Sequence, residues 1–201
     1  MNPKNFRTFK AESEVRIIGR MLAHHLFKEG INRVMFIDRS ARPGYIALKK
    51  AWKKKFPGVP TPEIYFTNPE GYNTQNRSEN EVVEEFDSTY RRLASDKESS
   101  IMLFDGCVHS GNSMRPIQRV LERAGYSDVR LGLAQPKDYG DNKDLEIDFQ
   151  ALSRPSWNTC YPFRRDNMIE RNRTSVLSSR NNNQGDRLAS IELRREISSL
   201  F

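Results

Sequence analysis

The tightest constraint on the fold is an order that recurs along the chain: a short apolar run, then a polar loop, then a helical stripe. It starts at Arg33, at Glu63 and at Ile101. The third copy carries the most chemistry. Ile101 to Phe104 has the length of a buried strand, and Asp105 sits where that strand would emerge into solvent. Ser110, Gly111, Asn112 and Ser113 follow, offering hydroxyls and backbone N–H groups to an anion at the mouth of the next helix. Met114, Ile117, Val120, Leu121 and Ala124 mark that helix; Pro116 is tolerated in its first turn and Gly125 ends it.

The other copies read the same way. Arg33 to Ile37 is a strand that ends in the loop Asp38 to Gly44, and Tyr45, Leu48, Trp52 and Phe56 form the stripe of the next helix. Glu63 to Thr67 is a strand followed by a polar loop, Asn68 to Arg77, long enough to be mobile. Ser78 and Glu81 have capping-box spacing ahead of Val82, Val83, Phe86, Tyr90 and Leu93. Before these units, Val15, Ile18, Leu22 and Leu26 predict an amphipathic helix with Ser13 as N-cap and Gly30 as stop. After them, Val129 to Ala134 is a strand, and Leu145, Ile147 and Phe149 alternate as a short strand within an acidic stretch. Strands alternating with helices over short connections imply an α/β fold, a mostly parallel central sheet flanked by helices, with ligands expected at the carboxyl edge.

Length and composition set the remaining bounds. With 201 residues the chain suits one domain, over 1–163, and the Arg-, Asn- and Ser-rich stretch 164–201 reads as a basic polar arm. Within that arm Leu188, Ile191, Leu193 and Ile197 approach helical spacing, either a terminal helix docked on the domain or on a second subunit, or a solvated tail. A net charge of +7 favours anionic partners: phosphorylated metabolites, nucleic acid or a membrane surface. The lysines at 49, 50, 53, 54 and 55 read as a solvated helix face, and the adjacent His24 and His25 receive no role. Two cysteines, Cys107 and Cys160, make no disulfide framework, and no zinc-site spacing occurs. The absence of a signal-peptide core and of any apolar run near the roughly 20 residues of a membrane span leads us to expect a cytoplasmic protein that does not enter the membrane. No P-loop or dinucleotide fingerprint is present, and Ser40 stands where a haloacid-dehalogenase-like phosphatase would carry its second acid.

The run Asp105 to Ser113 after four apolar residues resembles the signature of the type I phosphoribosyltransferases, and the resemblance extends more loosely over residues 13–163. It implies a phosphoribosyltransferase-like sheet with a small hood region. In that family the motif binds 5-phosphoribosyl 1-diphosphate (PRPP). Carried over by position, Asp105 matches the acid that holds the ribose, directly or through metal-bound water, and Ser110, Gly111, Asn112 and Ser113 match the 5′-phosphate turn. Arg39, Ser40 and Arg42 fall in the pyrophosphate loop, where bidentate guanidinium contacts suit a diphosphate; surface ion pairing is the alternative for the arginines. Trp157 and Tyr161 fall in the hood, where they would stack on a nucleobase or else simply seal the core. Two positions depart from the pattern: Gly106 replaces a second acid, and His109 replaces the Asp of purine-using members, so His109 is either a base or a loop residue.

The resemblance implies a Mg²⁺-dependent transferase that moves phosphoribosyl from PRPP to a nucleobase or related nitrogen nucleophile and releases pyrophosphate, with Asp105 and His109 as its catalytic candidates. The alternative is a nucleotide- or PRPP-binding regulator that keeps the sheet and phosphate turn without turnover, sensing a nucleotide or using its basic tail on RNA. A homodimer is compatible with either.

Overall fold

The computed structural model describes residues 12–37, 41–72, 77–106, 113–135, 145–153, 195 and 197–201. Helix α1 (Glu12–Lys28) leads into β1 (Arg33–Ile37), and α2 (Arg42–Lys55) into β2 (Glu63–Thr67). A 3-10 turn (Pro69–Tyr72), α3 (Glu79–Thr89) and the single turn α4 (Arg91–Ala94) precede β3 (Ile101–Asp105). Helix α5 (Met114–Arg123), β4 (Val129–Leu133) and the two-residue β5 (Phe149–Gln150) complete the order. Every pairing is parallel, in the order β2-β1-β3-β4-β5. The parallel sheet with helices on both faces is the architecture the alternation implies.

Side-chain alternation divides the core. Val34, Phe36, Met102 and Phe104 pack with α1 and α2, whereas Met35, Ile37, Ile101 and Leu103 pack with α3 and α5. Because both faces are covered, β1 and β3 read as unbroken apolar runs. Helix α1 buries Val15, Ile18, Leu22 and Leu26, the residues whose spacing predicts it, and Gly30, at φ 68°, takes the left-handed conformation that ends a helix. The helix starts at Glu12, which puts Ser13 inside it rather than at its N-cap. At α3 the predicted capping box forms: the Glu81 N–H donates to Ser78 Oγ at 3.3 Å, and the Ser78 N–H donates to the Glu81 carboxylate at 2.7 Å.

Two loops differ from expectation. The first part of the stretch after β2 is ordered by Tyr72, whose ring packs on Phe86 and whose hydroxyl accepts from Thr67 Oγ1 at 3.1 Å. An aromatic body with a polar tip can close a turn over a core in this way. Leu145, Ile147 and Phe149 do not share one strand face: Leu145 and Ile147 belong to the α3–α5 side, Phe149 to the α1–α2 side, where its ring stacks on His25 at 4.6 Å. The chain joins the ladder only at Asp148, whose carboxylate accepts the Leu131 N–H at 2.7 Å, so the residues before it are under no pleat. At the end of the chain, Ile197 and Leu200 are buried against Val15 and Ala47 of the α1–α2 layer. No described helix is long and apolar enough to cross a membrane.

Candidate functional site

The strand order reverses between β1 and β3. The chain leaves β1 through α2 on one face and leaves β3 through α5 on the other, so the carboxyl ends of these neighbours diverge. Such a switch point opens the crevice in which open α/β sheets bind ligands. Ile37 ends β1 and Asp105 ends β3, with Phe36 and Phe104 paired just before them.

Phe104 determines where Asp105 lies. Its ring meets Phe36 edge-on at 5.4 Å. A Cβ on Gly44 of α2 would come within 2.9 Å of Phe104 Cε1, and one on Gly132 of β4 within 3.1 Å of its Cδ2. Glycine at both positions makes room for the ring, which is thereby held from two sides. Asp105 extends the strand by one residue and is 3% exposed, so it does not emerge into solvent as its position after an apolar run suggests. Its backbone carbonyl accepts the Ala134 N–H at 3.0 Å, and its Oδ1 accepts the Gly106 N–H at 2.6 Å. A buried carboxylate requires such donors, and the charge-assisted bond to Gly106 is of the stronger kind.

The same edge carries two buried polar residues that sequence reasoning did not select, Thr67 and Gln135. The Gln135 N–H donates to the Gly106 carbonyl at 3.2 Å, tying the end of β4 to the start of the loop after β3. Thr67 meets Tyr72, whose hydroxyl lies 3.5 Å from that of Tyr90, and Tyr90 donates to the Phe66 carbonyl at 2.7 Å. Burial pushes the Tyr72 phenol well above its ordinary pKa. The signal was available: Thr67 and Gln135, like Asp105, stand at the carboxyl ends of the strand runs.

Arg42 is the first residue of α2 rather than part of a loop, because Pro43 is accommodated in a helix's first turn. Its guanidinium carbon lies 5.5 Å from the centre of the Phe66 ring, a cation–π distance that sets the side chain beside the carboxyl end of β2. Ser113, half-buried, immediately precedes α5. Asp105 thus ends β3, Arg42 opens α2 and Ser113 stands just ahead of α5, the elements that lead into or out of the switch point. Arg39, Ser40, His109, Ser110, Gly111, Asn112, Trp157 and Tyr161 lie outside the described residues. Among the described residues no three His, Cys, Asp or Glu side chains gather as a metal site.

The amino edge of the sheet has a different chemistry. The Arg33 guanidinium, 8% exposed, lies 2.6 Å from the Asp96 carboxylate and 3.8 Å from Glu63, and Arg92 reaches Glu63 at 2.7 Å. These pairs join the starts of β1 and β2 to the segment before β3.

No family model matches the chain, and no curated protein matches it in sequence. Solved structures do. The hypoxanthine phosphoribosyltransferase of Trypanosoma cruzi, in complex with the product IMP, superposes with a TM-score of 0.50 at 10% identity, over 75% of this chain and 83% of that one. A hypoxanthine-guanine-xanthine phosphoribosyltransferase gives 0.48 at 15% identity, over 70% and 73%. An HGPRT-ase from Leishmania tarentolae in complex with GMP gives 0.45 at 12% identity, over 71% and 75%. The likeness to the Trypanosoma cruzi structure, together with the five parallel strands between two helical layers, identifies the fold as phosphoribosyltransferase-like.

Proposed function

We propose that the switch-point crevice binds PRPP and that the protein transfers its phosphoribosyl group to a nucleobase or related nitrogen nucleophile. The observation that carries this reading is the position of Asp105, fixed at the end of β3 beside the diverging β1, with Arg42 opening α2 and Ser113 just ahead of α5. In the reaction the bond from ribose C1 to the diphosphate oxygen breaks, a C–N bond forms, and the nucleophile loses its proton. Residues 110–113 would receive the 5′-phosphate, Arg39, Ser40 and Arg42 the diphosphate, and Asp105 the ribose hydroxyls. His109 would take the nucleophile's proton, and Trp157 or Tyr161 would stack on the base. Among the described residues no second acid gathers with the buried Asp105 carboxylate as a metal cluster, which suits Mg²⁺ that arrives on diphosphate oxygens and keeps most of its waters rather than a cage built by the protein. Bound there, the ion would neutralise the departing diphosphate.

Calorimetry with PRPP and Mg²⁺ tests the ligand, and pyrophosphate release across a panel of bases tests turnover. Asp105→Asn, which keeps an oxygen for the Gly106 N–H, should weaken binding about 10- to 100-fold, the worth of one hydrogen bond to a charged group. Unchanged binding would refute the assignment. One observation favours a second reading, a binding protein without turnover: Asp105 Oδ1 is already engaged by the Gly106 N–H, and Gly106 brings no second acid. That reading requires PRPP binding with no pyrophosphate released.

A further inference from the structure

The charge of the protein is divided unequally between its helical layers. Helices α1 and α2 carry nine Lys and Arg against two Glu, whereas α3, α4 and α5 carry five Arg against six carboxylates. No acid occurs in α2 at all. Its Gly44, Ala47, Leu48 and Ala51 are buried, which leaves Lys49, Lys50 and Lys53 exposed on the opposite side. Among the described residues Lys49, Lys50, Lys53 and Lys55 have no carboxylate partner, while Lys28 pairs with Glu29 at 3.1 Å and Lys54 donates to the Phe201 carbonyl at 3.1 Å.

Aromatic rings sit among these lysines. Helices α1 and α2 flank β1 in sequence and share one face, so both run against the strands and their carboxyl ends meet at the amino edge of the sheet, away from the crevice. There Phe27 stacks on Phe56 at 4.1 Å and 13°, with the Trp52 ring edge-on to Phe27 at 6.2 Å. Phe27 is 48% exposed, and the Lys55 ammonium lies 5.6 Å from the Phe56 ring centre. A hydrophobic residue this open, backed by a rigid stack and bordered by Lys28 and Lys55, is poorly explained by the needs of the core.

We propose that this end of the α1–α2 layer binds single-stranded nucleic acid, with the α2 lysines tracking the phosphates and Phe27 offering a ring on which an unpaired base stacks. A membrane surface fits less well. The other exposed apolar residues of α1, Ile17 and Met21, are separated from Phe27 by about 9 Å or more of helix that carries Arg20 and His24, so no continuous stripe exists for lipid.

The test is fluorescence anisotropy of the full chain with a 5′-labelled oligouridylate of about 20 residues, between 50 and 200 mM salt. If four lysines displace counterions, the logarithm of affinity falls against that of salt with a slope of about −2.8. The triple variant Lys49→Glu, Lys53→Glu, Lys55→Glu should weaken binding at least tenfold and flatten the slope. Phe27→Ala should weaken it about tenfold, the scale of one lost stack, with the slope unchanged. Both variants should keep the parent's circular dichroism, and a Phe27→Tyr variant, which keeps the ring, should bind like the parent. No binding at 50 mM salt, equal binding to heparin or to anionic phosphatidylserine vesicles, or indifference to Phe27→Ala would each overturn the proposal.

Discussion

Phe104 governs the candidate site as much as Asp105 does, because the room for its ring comes from Gly44 and Gly132. Gly44→Ala would add a Cβ 2.9 Å from Phe104 Cε1 and push the end of β3. Overpacking of this kind costs about 1–3 kcal/mol, read as a lower urea midpoint with unchanged slope, and PRPP affinity should fall with it. Gly19→Ala provides a sharper comparison. Alanine improves helix propensity by about 1 kcal/mol, but its Cβ would meet the Ala47 carbonyl oxygen at 2.7 Å, where backbone cannot give way, so the net effect should still be destabilising. That Asp105 would end β3 was legible from the apolar run before it. Its burial was not, because the donor that continues the ladder, the Ala134 N–H, comes from a strand far along the chain.

Titration at this scale has a definite sign. Burial against Phe149 lowers the His25 pKa from its ordinary 6.5, with Glu29 and Asp148 raising it and Lys28 and Arg130 lowering it. The folded state therefore prefers the neutral ring. The corresponding stability is complete above pH 6.5 and is lost as pH falls through the lower folded value. Thermal midpoints measured from pH 7 to pH 5 should drop in the parent and drop less in His25→Phe, which keeps the stacked ring; equal slopes would contradict it.

At the scale of elements, what is local was readable. β1 and β2 fall where their apolar runs do, and the Ser78–Glu81 box starts α3 as its spacing predicts. Ser78→Ala should cost about 1 kcal/mol, measured by urea unfolding. The features that escaped sequence reasoning depend on distant partners. Tyr72 makes an ordered turn only because Phe86 and Tyr90 of another element receive it, and Phe149 leaves the face of Leu145 and Ile147 only because β4 supplies a ladder at Asp148 and no earlier. Arg42 moved from loop to helix because proline, two residues before the first clear apolar position, permits a first turn as readily as it marks a break.

The whole molecule separates two chemistries. Its carboxyl edge brings small, buried polar residues to a reversal in strand order, and its α1–α2 layer concentrates cationic charge toward the opposite edge. Composition disclosed the total charge but not this division, which exists only once the sheet sorts the helices by face. The central claim is that ribose phosphate enters at the switch point. Backbone amide NMR during titration with ribose 5-phosphate tests it most directly. The account predicts saturable shifts at Gly106 and through Ser113 and Met114, with the Phe27 and Lys55 amides unmoved. Shifts confined to the carboxyl ends of α1 and α2, or none at all, would contradict it.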